Sequence, residues 1–440
     1  MGVKWRVCIK IFKMSFLATT APSAADNAWV LISTALVLMM CIPGLFLFYG
    51  GLVRGRNVLS IAAQCLALTA IGILMWWGFG YSLVFGKSFA QEGALLGHVF
   101  GGSEYFAFRG VGVEPSPYEG RIFSGSFALF QAMFAAITPA LIIGAVAERM
   151  KFTAVLLFST LWSVCVYYPV AHAVWGCSGD FSGLANEGAA FKAIDFAGGI
   201  VVHMTSGWSA LLLCILVGPR AGFGKRPMTP HSMVLCVLGT GMLWTGWYGF
   251  NAGSALAMDG VALQAFLTTT LSASSAMLAW AVVERIHRGK PSVLGLCSGA
   301  VAGLATVTNA AGFVSGSSAV LIGILAGMIS YWACSVLKPR FGYDDALDTF
   351  GVHGVGGTVG ALATALLVDQ ATHPAAAALL EKGLVRGQLS AMGMCILVSL
   401  VATWVIAKLV DKLVGLRASE EEQAQGLDII DHKEEGYNHS

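Results

Sequence analysis

The chain has 440 residues, 56% hydrophobic and only 11% charged, with a mean hydropathy of +0.74. Soluble domains carry about 25% charged residues, so this composition excludes a soluble globular protein and points to an integral membrane protein. A formal net charge of +2 gives no basis for expecting nucleic acid. The 54 glycines suit helices that must approach closely without a hydrophobic drive between them. The ten cysteines lie mostly in apolar runs with no Cys-x-x-Cys pair, so they read as small core residues, with no metal or disulfide framework expected.

Residues 1–25 combine Lys4, Arg6, Lys10 and Lys13 with a short apolar run and Ser23-Ala24-Ala25, the pattern of an N-terminal extension or a weak signal peptide; Met14 is an alternative start. Eleven apolar segments follow, at 28–51, 57–85, 122–147, 152–176, 195–218, 231–256, 262–285, 292–311, 316–338, 349–368 and 388–414. Each is close to the ~20 residues needed to span the hydrocarbon core. The connections that begin at Arg54, Arg149, Arg220, Arg285 and Lys338 hold twelve Lys and Arg, the alternate set six. The positive-inside rule assigns the first set and the polar tail to the cytoplasm of a multi-pass protein in the cell inner (plasma) membrane, with the mature N-terminus outside.

The fifth and tenth segments stand out. The fifth opens Asp195-Phe-Ala-Gly-Gly199 and continues to His203; the tenth opens Asp348-Thr-Phe-Gly351-Val-His353. They enter from opposite sides, each with an aspartate at its mouth and a histidine deeper in, as an all-α inverted 5+5 repeat requires. The eleventh segment is then a peripheral brace. Read as continuous helix, the fifth segment puts His203 roughly 12 Å beyond Asp195. Ionisable groups at that depth cost several kcal/mol and usually line a pathway.

Topology gathers Phe130, Phe134, Trp175, Phe250 and Ser254 around an outer vestibule. Aromatic faces attract a small cation by about 0.5–2 kcal/mol, and a hydroxyl accepts one N–H bond. Each also has a plainer explanation. Trp175 at a span end fits an interfacial belt, the phenylalanines fit helix packing, Ser254 fits helix contact, and Asp195 and Asp348 fit N-caps. The two membrane histidines favour function outright, whereas His172 reads as structural.

These residues occur in motifs that resemble the Amt/Mep/Rh ammonium transporters, specifically the bacterial Amt branch. The matching motifs are Asp26-Asn-Ala-Trp29, Ile42 to Arg54, Ala145-Val-Ala-Glu-Arg149, the run from Asp195 through His203 to Gly218-Pro-Arg220, Trp247 to Ser254, and Asp348 to Gly354. The resemblance implies a membrane domain over 26–414 that forms a homotrimer with one pore per subunit. It makes Trp175 and Ser254 the outer ammonium-recruitment site, with Phe130 above the paired phenylalanine gate Phe134 and Phe250. His203 and His353 become paired pore histidines. Asp195 becomes the essential acidic residue beside the recruitment site, ordering the vestibule and stabilising positive charge, and Asp348 a structural acid. Ammonium would lose its proton at the outer site and cross as ammonia, with the proton passing separately through the histidines or not at all.

The outer loop from 86 to 121 and the N-terminal extension depart from the family pattern. The tail, 415–440, is either a solvated acidic end or, by the resemblance, a cytoplasmic segment that contacts PII-type signalling proteins. An ammonium sensor is a rival reading, but sensors of this kind carry an appended signalling domain. An enzyme is not expected, since there is no nucleophile elbow, phosphate-binding loop or metal cluster, and no cofactor is implied.

Overall fold

A computed structural model describes residues 21–93 and 95–437; most of the N-terminal extension, with Met14, lies outside them. The architecture is all-α, and the described residues hold ten helices long and apolar enough to span a membrane and one shorter apolar helix, α8: α1 Ala24–Leu52, α2 Gly55–Gln91, α3 Ser124–Val146, α4 Phe152–Trp175, α5 Gly199–Val217, α6 Met233–Ala255, α7 Gly260–Arg288, α8 Val293–Val307, α9 Gly316–Phe341, α10 Phe350–Leu367 and α11 Leu384–Val414. Only α8, at 15 residues, is shorter than a full span.

Burial separates the centre from the rim. In their most apolar stretches α3, α5 and α10 bury 89%, 72% and 67% of residues, against 33% for α7 and α11. The outer helices leave Leu263, Leu278, Val282, Leu397, Val401 and Trp404 exposed, as lipid-facing surfaces should. At the centre α5 packs on α3, α10 and α11. A side chain on Gly207 of α5 would collide with the backbone of Gly354 in α10, so this crossing requires glycine.

The fifth helix starts later than the hydropathy suggests, whereas the tenth starts within one residue of it. Residues 195–198 are not helical, and Gly198 adopts φ +106°, so α5 begins only at Gly199. His203 is therefore about 6 Å along the helix, not 12 Å. The non-helical entry is held by buried polar groups instead of by its own ladder. Gln388 of α11 accepts from Ile194 N (2.9 Å) and donates to Ile194 O (2.9 Å). Asn309 donates to Ile194 O (2.9 Å) and to Thr364 Oγ1 (2.7 Å).

One end of the bundle is strongly basic and built around buried ion pairs. Glu148 accepts from Arg54 Nε (2.9 Å) and Arg220 Nη1 (3.1 Å). Arg220 also pairs with Asp344 through Nη2 (2.7 Å) and Nε (2.9 Å). Burial alone would raise the Glu148 and Asp344 carboxyls, but the arginines hold both below the ordinary carboxylate range. This cluster fixes the connection that leads into α10.

The tail is not a loose solvated end. Ala418 N donates to Arg149 O (2.9 Å), Ala221 N to Gln423 Oε1 (3.0 Å), Leu427 N to Asn57 Oδ1 (2.9 Å) and Ser60 N to Asp428 Oδ1 (2.7 Å). Its short helix, Glu420–Gln425, is closed at its start by a capping box between Ser419 and Glu422.

Removing Arg220 leaves the buried Asp344 carboxylate without its charge partner and takes one of two from Glu148, which keeps Arg54. Arg220→Met is expected to cost about 3–5 kcal/mol, read as a lowered Tm of the detergent-solubilised protein. In the parent the ion-pair contribution is present at neutral pH, because carboxyls depressed in the fold lose their stabilising charge only as pH falls below about 4. The variant is expected to lose that acid dependence.

Candidate functional site

A vestibule opens at the end of the bundle opposite the basic face. It has a volume of about 320 Å3, and Trp175, Phe134, Ser254, Gln131, Tyr118 and Asp195 are among its walls. The Trp175 indole is fixed because Nε1 donates to Asp195 O (2.8 Å). Its ring meets Phe134 edge-on at 6.0 Å. Ser254 Oγ donates to Phe250 O (2.8 Å), which spends its proton and leaves oxygen lone pairs free to accept from a cation. Gln131 Oε1 is buried without a hydrogen-bond partner.

Phe134 and Phe250 form the floor, with ring centroids 4.4 Å apart and planes tilted by 38°. No lumen passes between rings at that separation. Phe130 does not line the vestibule. It is fully buried and meets Phe134 edge-on at 5.0 Å, so it props the floor rather than meeting a ligand. The i,i+4 spacing put both rings on one face of α3, but Phe130 is turned against Gly253, where an added Cβ would lie 3.0 Å from its ring.

Below the floor is a second void of only about 20 Å3, lined by Phe250, His203, His353, Leu141, Leu243 and Trp247 among others. That volume holds one water-sized molecule. The two imidazoles are buried, lie 19° from parallel and approach Nδ1 to Nδ1 at 3.1 Å. One Nδ1 must donate and the other accept, so the pair shares one proton between its Nδ1 atoms, an arrangement that two neutral rings can make. The ring that keeps its proton on Nδ1 presents a bare Nε2; the other presents Nε2–H. His203 Nε2 has no protein partner. Phe250 and Trp247 flank His203 with ring centroids at 5.9 and 5.5 Å, and Trp247 Nε1 is tied to Thr308 Oγ1 (2.9 Å).

Asp195 is spent on backbone. Its carboxylate accepts from Gly198 N (2.9 Å), Ile200 N (3.0 Å) and Val201 N (2.8 Å), capping the positive end of α5. The residue that does the same for α10 is Asp345, not Asp348: its oxygens accept from Thr349 N (3.1 Å) and Phe350 N (2.7 Å). Asp195 and Asp345 each stand eight residues before their histidine. Asp348, by contrast, has φ +61° and pairs with Lys338. His172 has both ring nitrogens on carbonyls, Val84 O (2.8 Å) and Gly97 O (3.1 Å), and lines neither void.

Sequence reasoning missed Asp345, Trp247, Asn309, Gln388 and Gln131. The last three carry a readable signal, because uncharged polar groups inside apolar spans need partners or a cavity. Among the described residues no cluster suited to a metal ion is found.

The Ammonium Transporter Family matches residues 28–437. An ammonium transporter of Bacillus subtilis is 43% identical over 409 residues, covering 92% of this chain and 97% of its own. Among solved structures, Saccharomyces cerevisiae Mep2 superposes with a TM-score of 0.80 at 32% identity, covering 91% of each chain. A structure titled "Sensor Amt Protein" gives 0.81 at 27% identity, covering 93% of this chain and 98% of the other.

If Asp195 and Asp345 are equivalent caps, Asp195→Ala and Asp345→Ala should each lower stability by about 1–3 kcal/mol, since each strands buried N–H groups. Asp348→Ala, which breaks a partly exposed ion pair, should cost less than about 1 kcal/mol. Thermal unfolding in detergent compares the three.

Proposed function

Because this chain belongs to the ammonium transporter family, we propose that it is an ammonium transporter that strips a proton from ammonium in the vestibule and conducts ammonia past His203 and His353. The observation that carries this reading is the imidazole pair at 3.1 Å beneath a closed aromatic floor. A bare cation has no route through such a passage. A weak acid does, if it leaves its proton behind.

The steps follow from the side chains. Ammonium sheds water against the ring faces of Trp175 and Phe134, worth about 0.5–2 kcal/mol, and donates one N–H to Ser254 Oγ. Asp195 takes no part in contact; its carboxylate holds the end of α5, and its carbonyl holds the Trp175 indole. After deprotonation, ammonia passes as Phe134 and Phe250 swing apart and enters the lower void. There it accepts from an imidazole N–H or donates to a bare nitrogen, both of which the neutral pair supplies. Potassium cannot donate a hydrogen bond or deprotonate, so it is excluded.

The proton crosses separately. As Phe134 and Phe250 part, transient water carries the proton from the vestibule to the bare Nε2 of one imidazole. The Nδ1 proton shifts across the pair, and the second ring releases its own Nε2 proton. Both rings return to their first tautomer by exchange with water before the next turnover. Atoms and charge balance: one ammonium on the vestibule side becomes one ammonia and one proton beyond the pair. The membrane is the cell inner membrane, and we assign the basic face to the cytoplasm from its excess of Lys and Arg. We further propose that the membrane domain assembles as a homotrimer and that its basic face and tail receive a PII-type signalling protein.

Uptake by the reconstituted protein separates transport from sensing alone. His203→Ala is expected to lower ammonium uptake at least tenfold while the Tm stays near that of the parent. Ser254→Ala should raise the half-saturating concentration about 10–100-fold, as loss of one charged hydrogen bond requires. An ammonium jump on a supported membrane should give a transient current, and potassium none. Uptake without current would sink separate proton transfer, and no uptake at all would sink the transporter reading.

A further inference from the structure

We propose that the basic face carries a binding cleft for a phosphate-bearing ligand, and that the ligand locks the tail against two loops. The cleft has a volume of about 430 Å3. Its first wall, Arg54 and Arg56, is the connection from α1 to α2. Its second, Ala221 to Met228 with Lys225 and Arg226, lies between α5 and α6, and its third is the tail helix with Glu420 and Gln423. Three segments far apart in sequence thus bring four cations to one space, against the single carboxylate of Glu420.

The local charges are not balanced within the protein. Glu148 is the nearest buried carboxylate, and it is saturated: Oε1 accepts from Arg54 N, Arg54 Nε and Asn57 Nδ2, and Oε2 from Arg220 Nη1. Arg54 Nη2 is left buried with no hydrogen-bond partner. Among the described residues Arg56, Lys225 and Arg226 form no ion pair. Four cations gathered around one open space with a single carboxylate call for a counter-anion.

The size and the donors narrow its chemistry. The space is far larger than a monatomic ion needs, and planar guanidinium forks match the several oxygens of a phosphoryl group. Arg54 and Arg56 flank the ends of α1 and α2, at the level where lipid headgroups sit. The phosphoryl group can therefore belong to a soluble phosphorylated compound or to an anionic lipid. Either would bridge segments already in contact, since Ala221 N bonds Gln423 and Gly426, with φ +109°, packs on Arg56. The inference does not depend on what the pore carries.

The test is hydrogen–deuterium exchange over residues 418–432 of the full-length protein in nanodiscs. One arm uses phosphatidylcholine discs with and without inorganic pyrophosphate; the other uses discs that contain phosphatidylglycerol. A ligand at ten times its Kd should slow exchange of the tail about tenfold. Slowing by pyrophosphate identifies a soluble ligand, and slowing only in phosphatidylglycerol discs identifies a headgroup. The triple variant Arg56→Gln, Lys225→Gln, Arg226→Gln should abolish the effect. Raising the salt concentration, which needs no substitution, should weaken it in the parent. Unchanged exchange with both probes, or protection that persists in the triple variant, overturns the proposal.

Discussion

The site depends on how closely two helices can cross. α5 and α10 touch through Gly207 and Gly354, with no side chain between the backbones. Only that approach lets imidazoles from different helices reach hydrogen-bond distance instead of merely sharing a cavity. A second close contact reinforces it: an added Cβ on Gly357 would lie 3.0 Å from the Cβ of His203. The glycines are thus as much a part of the histidine pair as its rings are.

Around that crossing, each helix begins with a wide π turn, Gly199–Met204 in α5 and Phe350–Val355 in α10, and each histidine sits within one. Such turns recur at functional sites. The first N–H groups of both helices are satisfied by carboxylates that come from outside the helix, Asp195 and Asp345. Around Asp195 this leaves the vestibule with aromatic faces, a hydroxyl and no free carboxylate, an environment that attracts a cation without trapping it as a salt.

Much of this was legible in the sequence, and the failures have physical causes. Hydropathy located ten spans because lipid imposes a length on each, and the shorter α8 by its apolar composition alone. It could not locate the start of α5, because a positive-φ glycine and distant polar side chains hold that entry out of the helix. Asp344, Asp345 and Asp348 are interchangeable as letters. Their roles are sorted by tertiary partners, Arg220 taking the first and Lys338 the last. The constant interval from aspartate to histidine was the one local clue to the middle one. Phe130 and Phe134 likewise share a helical face, and only the neighbouring Gly253 decides which of them reaches the cavity.

The small inner void has a bearing on the cell's energy supply. Proton leakage through membranes needs an unbroken file of water, each molecule handing a hydrogen nucleus to the next. A compartment of about 20 Å3 under closed rings admits no such file. Moving a proton by the proposed route would require a guest in the compartment and a change in the rings, so the closed floor would keep the passage from short-circuiting an electrochemical gradient between turnovers.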